Sequence, residues 1–415
     1  MSAPYEVVVV GAGLAGACAA ALLGRQAGLD PGRVALLEAE WPAPGTTGSA
    51  PELRVAALSR ASEHVLRAAG AWHRLDAARL CAYERMCVWH ETTAADGPGA
   101  LHFDAADIGE PDLGHIAEMP ALQRACIESF REAGGRLIEA PLTGVTIGQD
   151  AVRVQTGDAT LETRLLVGAD GAQSAVRQQV GLGVRTQDYH QRAIVATVGS
   201  ERPHAHTAWQ RFLHSGPLAL LPLFEGSCSI VWSVDEPLAR PLLECTASEF
   251  GERLTEAVAQ VLGSMQLRSE RLSFPLRSLV AGSYVVPRCA LIGDAAHVIH
   301  PLAGQGANLG VLDAAALCEA VAAAAAEHED TGALRILRGY EQQRRTHNRI
   351  MDAAMSAFRT GFAVAGGPMA WVLNQGLAAV DRSPPLKRAF ARAALGLTGE
   401  LPRFARGSGA QQGAA

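Results

Sequence analysis

The sequence predicts an α/β fold in which one domain is assembled from separated segments, a β-rich lobe is inserted into that domain, and a helical region closes the chain. Three observations lead to this prediction. Short apolar runs typical of strands buried on both faces occur far apart, at residues 5–10, 165–168 and 290–292. Residues 192–279 mostly alternate apolar and polar side chains, as half-buried strands do. After Asn308 the pattern is helical nearly to the end of the chain.

The first element is a βαβ unit over residues 5–38, in which a glycine turn joins a strand to an alanine-rich helix. The turn carries Gly11, Gly13 and Gly16 in the spacing Gly-X-Gly-X-X-Gly. Gly11 permits the tight turn, Gly13 lets the backbone approach a pyrophosphate, and Gly16 lets the helix pack closely on the strand. The unit therefore predicts a Rossmann-like domain that binds a dinucleotide.

Three neighbouring positions extend this predicted site. Leu14 and Ala15 open the helix, whose free N–H groups can meet phosphate charge. Glu38 closes the second strand, where a carboxylate accepts hydrogen bonds from a ribose diol. These residues alone do not distinguish FAD from NAD.

A second motif lies far downstream, where Asp294 ends a buried strand and a loop leads into a long helix. The loop residues expected at the cofactor are Pro301, Gly304, Gln305, Gly306, Ala307 and Asn308. A nicotinamide-binding domain needs no second acidic strand end, whereas FAD carries a ribityl chain that Asp294 can hold. Backbone N–H groups of the loop would face the isoalloxazine, and the helix start can stabilise negative charge on the reduced ring. The second motif thus favours FAD.

A third motif follows the strand at residues 165–168, again with an acidic residue beside glycine. Asp170 is interpreted as a brace for the phosphate region, with Ser174 and Arg177 on the following helical turn. A purely structural Asp–Arg pair is the alternative.

These patterns predict the following regions. The FAD-binding domain comprises residues 1–82, 113–183 and 281–350, the substrate-binding β-rich lobe comprises residues 83–112 and 184–280, a helical region covers residues 351–406, and a disordered tail covers residues 407–415. Residues 54–70 are expected to lead into a helix. One helix over residues 247–262 is expected to interrupt the strands of the lobe.

Composition excludes several classes of protein. Hydrophobic residues make up 48% and charged residues 19% of the chain, as in a folded enzyme. The net charge of −6 and the pI near 6.1 argue against nucleic acid as a partner. The chain has no run of about twenty apolar residues, and the apolar run at residues 7–10 is too short for a signal peptide. A cytoplasmic chain without a spanning helix is therefore expected.

The eight cysteines are expected to be buried and reduced, because most lie in apolar stretches. None forms a Cys-X-X-Cys pair or stands near a histidine at zinc spacing, so no metal site is predicted.

The three motifs, in this order and spacing, resemble those of the single-component flavin monooxygenases with the p-hydroxybenzoate hydroxylase fold. The resemblance covers roughly residues 5–400 and is strongest to the ubiquinone-biosynthesis hydroxylases within that group. The stretches that point to this subgroup are residues 54–62, 216–223 and 293–310, of which the last is the longest and most specific.

This resemblance implies roles for single residues. The three glycines of the first turn would cradle the FAD pyrophosphate, and Glu38 would bind the adenosine ribose. Arg54 would approach FAD from the segment after the second strand, and Gln123 would touch the flavin nucleotide from its helix. A surface arginine and an exposed helical glutamine are the alternatives for the last two.

The resemblance also implies a mechanism. NADPH reduces FAD, the reduced flavin adds dioxygen to form a flavin hydroperoxide, and an electron-rich phenol ring attacks the distal oxygen. The cofactor supplies the chemistry, while the protein orients the substrate and excludes water. His297 and His300 are candidates for a base or proton relay, because they stand beside the flavin loop and histidine titrates near neutrality. The alternative for His297 is a packed loop residue.

The expected substrate is a polyprenylated phenol of ubiquinone biosynthesis. The apolar stretch at residues 216–223 could line a prenyl tunnel or form a buried strand. Residues 385–397 combine basic residues with leucines and alanines, which favours either contact with an anionic membrane surface or a closing helix packed on the core. A peripheral position on the inner face of the membrane, with ubiquinone-biosynthesis proteins as partners, is a further expectation.

Three other functions compete with this interpretation. The same chemistry on a small soluble aromatic compound would have less use for the apolar stretch and the basic C-terminal helix. A flavin halogenase would carry a Gly-X-Trp-X-Trp-X-Ile-Pro segment, which the sequence lacks. A non-catalytic FAD-binding scaffold subunit of a biosynthetic complex would not need an intact flavin loop.

Overall fold

The structure is a computed structural model, and it describes residues 4–26, 28–42, 50–157, 159–299, 305–363 and 400–407, together with Ser383 and Arg388. Three of the predicted site residues, His300, Pro301 and Gly304, lie outside these residues. Most of the predicted helical region after residue 363 and the tail after residue 407 also lie outside them.

The described part of the chain forms eight α-helices and twenty strands. The helices are α1 (Leu14–Leu23), α2 (Arg60–Ala68), α3 (Met119–Glu132), α4 (Ala175–Gln179), α5 (Glu236–Glu244), α6 (Ala247–Ala257), α7 (Gln305–Ala326) and α8 (Leu334–Ala363). The strands are β1 (Tyr5–Val10), β2 (Val34–Glu38), β3 (Val55–Leu58), β4 (Cys81–Tyr83), β5 (Arg85–His90), β6 (Leu101–Asp104), β7 (Gly114–Glu118), β8 (Arg136–Glu139), β9 (Leu142–Ile147), β10 (Val152–Thr156), β11 (Ala159–Gly168), β12 (Val184–Ser200), β13 (Thr207–Leu213), β14 (Gly216–Pro222), β15 (Cys228–Asp235), β16 (Met265–Leu267), β17 (Leu272–Ala281), β18 (Val285–Val286), β19 (Cys289–Leu291) and β20 (His297–Val298).

These strands build three sheets within the described residues. An eight-stranded sheet has the order β18-β19-β11-β1-β2-β8, with β10 and β9 extending from β11. A nine-stranded sheet has the order β20-β17-β12-β15-β14-β13-β5-β6, with β16 beside β12, and a small sheet has the order β3-β7-β4. The predicted α/β fold with an inserted β-rich sheet is confirmed. Because β5 and β6 join the strands of residues 184–281, the two stretches assigned to the substrate lobe share one sheet, while the exact domain boundaries stay predictions.

Apolar burial on both faces explains the parallel centre of the first sheet. Val7, Val8 and Val9 are fully buried, and β1 runs parallel to β2 on one side and to β11 on the other. The small alanine side chains of α1 allow this helix to pack closely between α3 and α7. Nearly every residue of α1 is buried, which accounts for its apolar character all round.

The prediction of a simple entry into a helix over residues 54–70 is wrong in its first part. Val55–Leu58 forms β3, which pairs antiparallel with β7. Ser59 then caps α2, because its hydroxyl oxygen accepts from the N–H of Ser62. A strand of four residues shows too little alternation to be read from sequence, and its partner strand lies far along the chain.

The lobe contains two helices where the sequence predicted one. The missed helix, α5, has Pro237 in its first turn, where proline needs no hydrogen-bond partner, and it also tolerates Pro241 inside. The predicted helix, α6, ends at Ala257 rather than at residue 262. Ala259 and Gln260 adopt φ angles of +52° and +54°, which a helix cannot continue through.

The length and apolar composition of α7 contradict the expectation that no segment of the chain could span a membrane. By length and composition its apolar part, Gly306–Ala326, could cross a bilayer, with a mean hydropathy of 1.7. However, 72% of that apolar window is buried inside the protein, and α7 packs against α1, α2 and α8. A buried core helix passes the same test, so this helix is weak evidence for a membrane span.

The apolar stretch at residues 216–223 is a buried strand, which was one of its two predicted alternatives. In β14, Leu218 and Leu220 pack in one apolar cluster with residues of α5 and α6. Leu221 and Leu223 pack in another cluster with residues of the small sheet. Both faces of this strand are therefore used for packing. The prediction about cysteine is also confirmed, since all eight cysteines are free, and all are buried except Cys245, which is half-buried.

Candidate cofactor site

Four predicted site residues that the structure describes lie at one edge of the eight-stranded sheet. Strands β19, β11, β1 and β2 are parallel neighbours, so their carboxyl ends meet at the same edge. Gly11, Glu38, Asp170 and Asp294 stand at or just after these four ends. The chain order of the strands changes direction at β1, and ligands of open α/β sheets bind in the crevice at such a point.

The glycine turn combines two crowded positions with one open position. Gly11 has a φ of +99°, and a Cβ there would lie 2.5 Å from the carbonyl oxygen of Ala169. A Cβ on Gly16 would lie 2.0 Å from the carbonyl oxygen of Gly11. A Cβ on Gly13 would meet nothing within 4 Å. The first two glycines are therefore required for packing, and the open side of Gly13 is where a pyrophosphate could approach.

The peptide groups of Ala12 in this turn are held by two side chains. The Oε2 atom of Glu38 accepts a hydrogen bond from the N–H of Ala12 at 2.6 Å. The Nε2 atom of Gln123, on α3, donates to the carbonyl oxygen of Ala12 at 2.7 Å. Gln123 is therefore not an idle surface residue, because it fixes the turn. Glu38 also holds the turn, so its carboxylate has a structural contact in addition to its expected role at a ribose.

Asp170 braces the turn from the neighbouring strand. Its carboxylate accepts from the Ser174 hydroxyl at 2.5 Å and from the N–H of Val176 at 3.0 Å, which caps the short helix α4. The Cα atom of Asp170 would lie 2.8 Å from a Cβ placed on Gly11, so this segment forms the wall behind the glycine turn.

Arg177 links this third motif to the second. It is buried, and it donates to the carbonyl oxygens of Ala295 at 2.8 Å and Ala172 at 2.7 Å. Burial lowers the pKa of Arg177, and nearby Asp170 partly offsets this effect. Asp170 and Arg177 thus bind different backbone groups rather than forming a simple pair. Through these contacts the segment after β11 is linked to the turn that contains Asp294.

The turn that carries Asp294 packs directly on the start of α1. Gly293 has a φ of +58°, and a Cβ there would lie 2.9 Å from the Cβ of Ala15. Asp294 is accessible to solvent although it lies deep among protein atoms. The resulting desolvation raises the pKa of its carboxyl group, while His297 and Arg54 act in the opposite direction. Asp294 and Arg54, far apart in sequence, therefore share one electrostatic environment.

The amide of Asn308 links the start of α7 to the end of β3 near this turn. Its Oδ1 atom accepts from the N–H of Ser59 at 2.9 Å, and its Nδ2 atom donates to the carbonyl oxygen of Ala57 at 2.8 Å. Of the other loop residues, Gln305, Gly306 and Ala307 form the first turn of α7. The predicted helix start thus follows the Asp294 turn, and Asn308 ties it to β3.

Sequence reasoning missed the buried carboxylate that organises this region, Asp313 on α7. It accepts from Nε2 of His297 at 2.5 Å, from Nε of Arg344 at 2.8 Å and from the N–H of Gly293 at 3.1 Å. Burial alone would raise the pKa of Asp313, but His297 and Arg344 outweigh it and hold the pKa well below its usual value. The available signal was an acidic residue in the middle of a strongly apolar helix.

The imidazole of His297 is buried and hydrogen-bonded within this network rather than exposed towards the cofactor site. It is buried, its Nε2 bonds Asp313, and its ring lies 5.7 Å from that of Tyr284 at an angle of 32°. Burial raises the pKa of Tyr284 to about 12. These contacts agree with the packed-residue alternative for His297, whereas its catalytic role stays a prediction.

One further cluster of potential metal ligands lies outside this site. Ligand atoms of Glu63, Asp112 and His115 lie within 4.8 Å of one another. The guanidinium of Arg60 stands between the two carboxylates, 2.8 Å from Glu63 and 3.4 Å from Asp112. An arginine therefore supplies the positive charge that these carboxylates require.

The residues at the sheet edge fit FAD. The open side of Gly13 leaves room for a pyrophosphate, and Asp294 offers an accessible carboxylate near the start of α7. Directly after this turn, β20 pairs with β17 and so joins the nine-stranded sheet to the cofactor edge. An FAD-binding α/β domain joined in this way to a large, mostly antiparallel sheet is consistent with the class of flavin-dependent monooxygenases.

The chain belongs to the FAD binding domain family, whose pattern it matches over residues 4–354. It is 34% identical over 397 residues to the 3-demethoxyubiquinol 3-hydroxylase of Escherichia coli, which covers 95% of this chain and 99% of that protein. It is 35% identical over 414 residues to the ubiquinone hydroxylase UbiL of Rhodospirillum rubrum, covering 97% of this chain and 92% of that protein. The human mitochondrial ubiquinone biosynthesis monooxygenase COQ6 is 32% identical over 443 residues, covering 92% and 91% respectively.

Solved structures share the fold at lower sequence identity. The p-nitrophenol 4-monooxygenase PnpA from Pseudomonas putida DLL-E4 has a TM-score of 0.76 at 20% identity, covering 96% of this chain and all 100% of that chain. PqsL from Pseudomonas aeruginosa, a probable FAD-dependent monooxygenase, has a TM-score of 0.73 at 24% identity, covering 92% and 100%. The predicted resemblance, the FAD cofactor and the monooxygenase class are thereby confirmed.

Proposed function

We propose that this chain hydroxylates the aromatic ring of a polyprenylated phenol in ubiquinone biosynthesis, with NADPH and dioxygen as co-substrates. The observation that carries this proposal is the 34% identity to the Escherichia coli hydroxylase, which extends over 99% of that enzyme. The names of the Rhodospirillum and human relatives support the same pathway.

The contacts at the sheet edge support specific roles for the chain's own residues. The glycine turn, held by Glu38 and Gln123, would receive the pyrophosphate on the open side of Gly13. Glu38 has further acceptor capacity for a ribose hydroxyl. Asp294, with Arg54 nearby, would hold the ribityl chain. FAD, when bound, supplies the oxygen-activating chemistry, and these residues orient it.

The substrate ring would lie between the cofactor edge and the nine-stranded sheet. The pairing of β20 with β17 supports this position, because it brings the sheet against the turn of Asp294. His297 would position that turn through Asp313, and His300 remains the candidate base or proton relay.

We further propose that the chain acts in the cytoplasm, at the inner face of the membrane, with other proteins of ubiquinone biosynthesis as partners. A polyprenyl chain is insoluble in water, so its ring is most accessible at a membrane surface. The basic, apolar composition of residues 385–397 supports this position.

The test compares a prenylated phenol with p-hydroxybenzoate, using the FAD-loaded protein, NADPH and isotopically labelled dioxygen. We expect NADPH to bleach the flavin, the prenylated phenol to speed the bleaching, and the product to contain one labelled oxygen. Hydroxylation of p-hydroxybenzoate alone would contradict the proposed substrate. Failure of NADPH to bleach bound flavin would instead favour a non-catalytic FAD-binding scaffold.

The ring position can be assigned separately in cells. Expression of the chain in strains blocked at individual hydroxylation steps should restore one step, and the accumulated quinone precursor identifies the carbon that is attacked. Restoration of no step in any strain would contradict a role in this pathway.

A further inference from the structure

A basic groove lies between α2 and the described C-terminal segment, and none of its described lining residues belongs to the candidate cofactor site. It encloses about 390 Å³, and its polar lining consists of His64, Arg67, Arg403 and Arg406. The other described residues that line it are Ala68, Phe404 and Gly407, so no carboxylate is among the described lining residues, although Glu63 forms an ion pair with Arg67. We call these four side chains the basic groove. A cavity lined by donors without acidic side chains suits an anion.

Hydrogen bonds to other groups of the protein hold three of the four basic side chains in fixed orientations. Nε and Nη2 of Arg406 donate to the carbonyl oxygen of Leu401 at 3.1 and 2.9 Å. Nε of Arg67 donates to Glu63 at 2.9 Å, and Nη2 of the same guanidinium lies 2.8 Å from that carboxylate. Nδ1 of His64 lies 3.1 Å from the carbonyl oxygen of Ala405, which can only accept, so this nitrogen is the donor. A guanidinium has five N–H donors, so both arginines keep donors for a ligand.

The wall of the groove is anchored to the core. Leu401 and Ala405 are buried in the main apolar cluster. The N–H of Phe404 donates to Oε1 of Glu319, on α7, at 2.7 Å. The arginines of the segment therefore stand on a fixed backbone, and Arg403, Arg406 and Arg67 remain exposed. Pre-organised donors reduce the entropy cost of binding a ligand.

The charge of the sequence that leads into the described C-terminal segment indicates the source of the anion. Residues 382–407 contain six basic residues and one acidic residue, a net charge of +5, although the whole chain carries −6. The rest of the chain therefore carries −11. Leucines and Phe390 are interspersed among these basic residues. A small soluble phosphate needs only the groove, whereas basic residues spread among apolar ones suit an extended anionic surface.

We propose that the basic groove binds the phosphate group of an anionic phospholipid. The proposed phospholipid contact rests on the proposed function in one respect: a prenylated substrate would bring the chain to a bilayer. The contact can be measured without any substrate, so its failure is distinguishable from a failure of the proposed hydroxylation.

The experiment measures co-sedimentation of the full-length, FAD-loaded protein with vesicles of phosphatidylcholine, with or without phosphatidylglycerol. The test variant carries Arg403→Gln and Arg406→Gln. The matched control carries Arg240→Gln and Arg277→Gln, two exposed arginines of the β-rich lobe, and has the same net charge. NADPH oxidation with a short-chain soluble phenol is followed in parallel for all three proteins.

We expect binding only to vesicles that contain phosphatidylglycerol. The Arg403/Arg406 variant should bind them roughly thirty-fold more weakly, from about 1 kcal/mol for each basic residue near an anionic surface. The control should bind like the wild type, and NADPH oxidation should be equal in all three proteins. Equal weakening in both variants would overturn the proposal, because the attraction would then follow net charge alone. Absence of vesicle binding together with thermal stabilisation by inorganic phosphate would overturn it in favour of a soluble anion.

Discussion

The substitution Asp313→Asn tests the buried network that holds the Asp294 turn. The change keeps the size of the side chain and removes its charge. In the wild type, neither Asp313 nor Arg344 is exposed to solvent, and the two side chains lie 2.8 Å apart. Without the carboxylate, the guanidinium of Arg344 is left as an uncompensated buried charge.

The expected loss of stability is large. Removing one partner of a buried ion pair typically costs about 3–5 kcal/mol. The N–H of Gly293 also loses a charged acceptor, and such hydrogen bonds contribute about 1.5–3 kcal/mol. We therefore expect the free energy of unfolding to fall by about 3–5 kcal/mol. Because the Asp294 turn loosens, we also expect at least about tenfold weaker binding of FAD.

Guanidinium unfolding of the apoprotein and fluorescence titration with FAD measure the two effects. Asp188→Asn is the matched control, since Asp188 pairs with the exposed Arg277 at 3.0 Å and should cost little stability without affecting FAD. The double substitution Asp313→Asn with Arg344→Met should recover most of the lost stability, because no buried charge is then orphaned. A single variant no less stable than the control, or a double variant no better than the single one, would refute this reasoning.

Three further predictions concern the glycine turn and the charged cluster around α2. Gly16→Ala should prevent folding of the turn, because the new Cβ would lie 2.0 Å from a carbonyl oxygen, whereas Gly13→Ala should leave the apoprotein stable and weaken FAD binding. Thermal melting measures the first effect and FAD titration the second. Equal melting temperatures of the two apoproteins would contradict this prediction. Gln123→Ala should weaken FAD binding about fivefold through loss of one hydrogen bond to Ala12, with Gln178→Ala as an exposed control; a dissociation constant equal to that of the control would show that the contact does not hold the turn. Burial raises the pKa of Glu63, but His115 and two arginines outweigh burial and lower this pKa from 4.5 to about 2. The ionised carboxylate therefore stabilises the fold above pH 4.5, and this contribution is lost as the pH falls towards 2. Glu63→Gln should therefore be about 3 kcal/mol less stable at neutral pH and show a flatter pH dependence of unfolding in that interval, and an unchanged slope would count against the assignment.

Local patterns were sufficient to predict where the cofactor edge lies. Each of its strands ends in a short apolar run that is followed at once by glycine or an acidic residue, and this pattern is visible without knowledge of the fold. The glycine spacing around Gly13 and the carboxylates of Glu38, Asp170 and Asp294 were recognised in this way. Weaker local signals were missed, because β3 is only four residues long and α5 begins with a proline.

The partners of these residues depend on contacts between distant segments, which sequence spacing does not encode. Glu38 and Gln123 meet at one residue of the glycine turn, although they come from a strand and a helix far apart in the chain. Asp313 accepts hydrogen bonds from β20, from α8 and from the turn of Gly293. Only the packing of these elements shows that Asp313 is a buried anion.

The sequence by itself therefore determined the α/β fold and, through its resemblance to known monooxygenases, the family and the FAD cofactor, because short motifs at fixed spacing indicate both. The roles of single residues at the cofactor edge stay predictions. The tertiary structure alone decided which side chains hold those motifs in place. A carboxylate in an apolar helix looks like an isolated polar residue until folding brings Arg344 and His297 to it. Burial then makes the charge pair both necessary and costly to break.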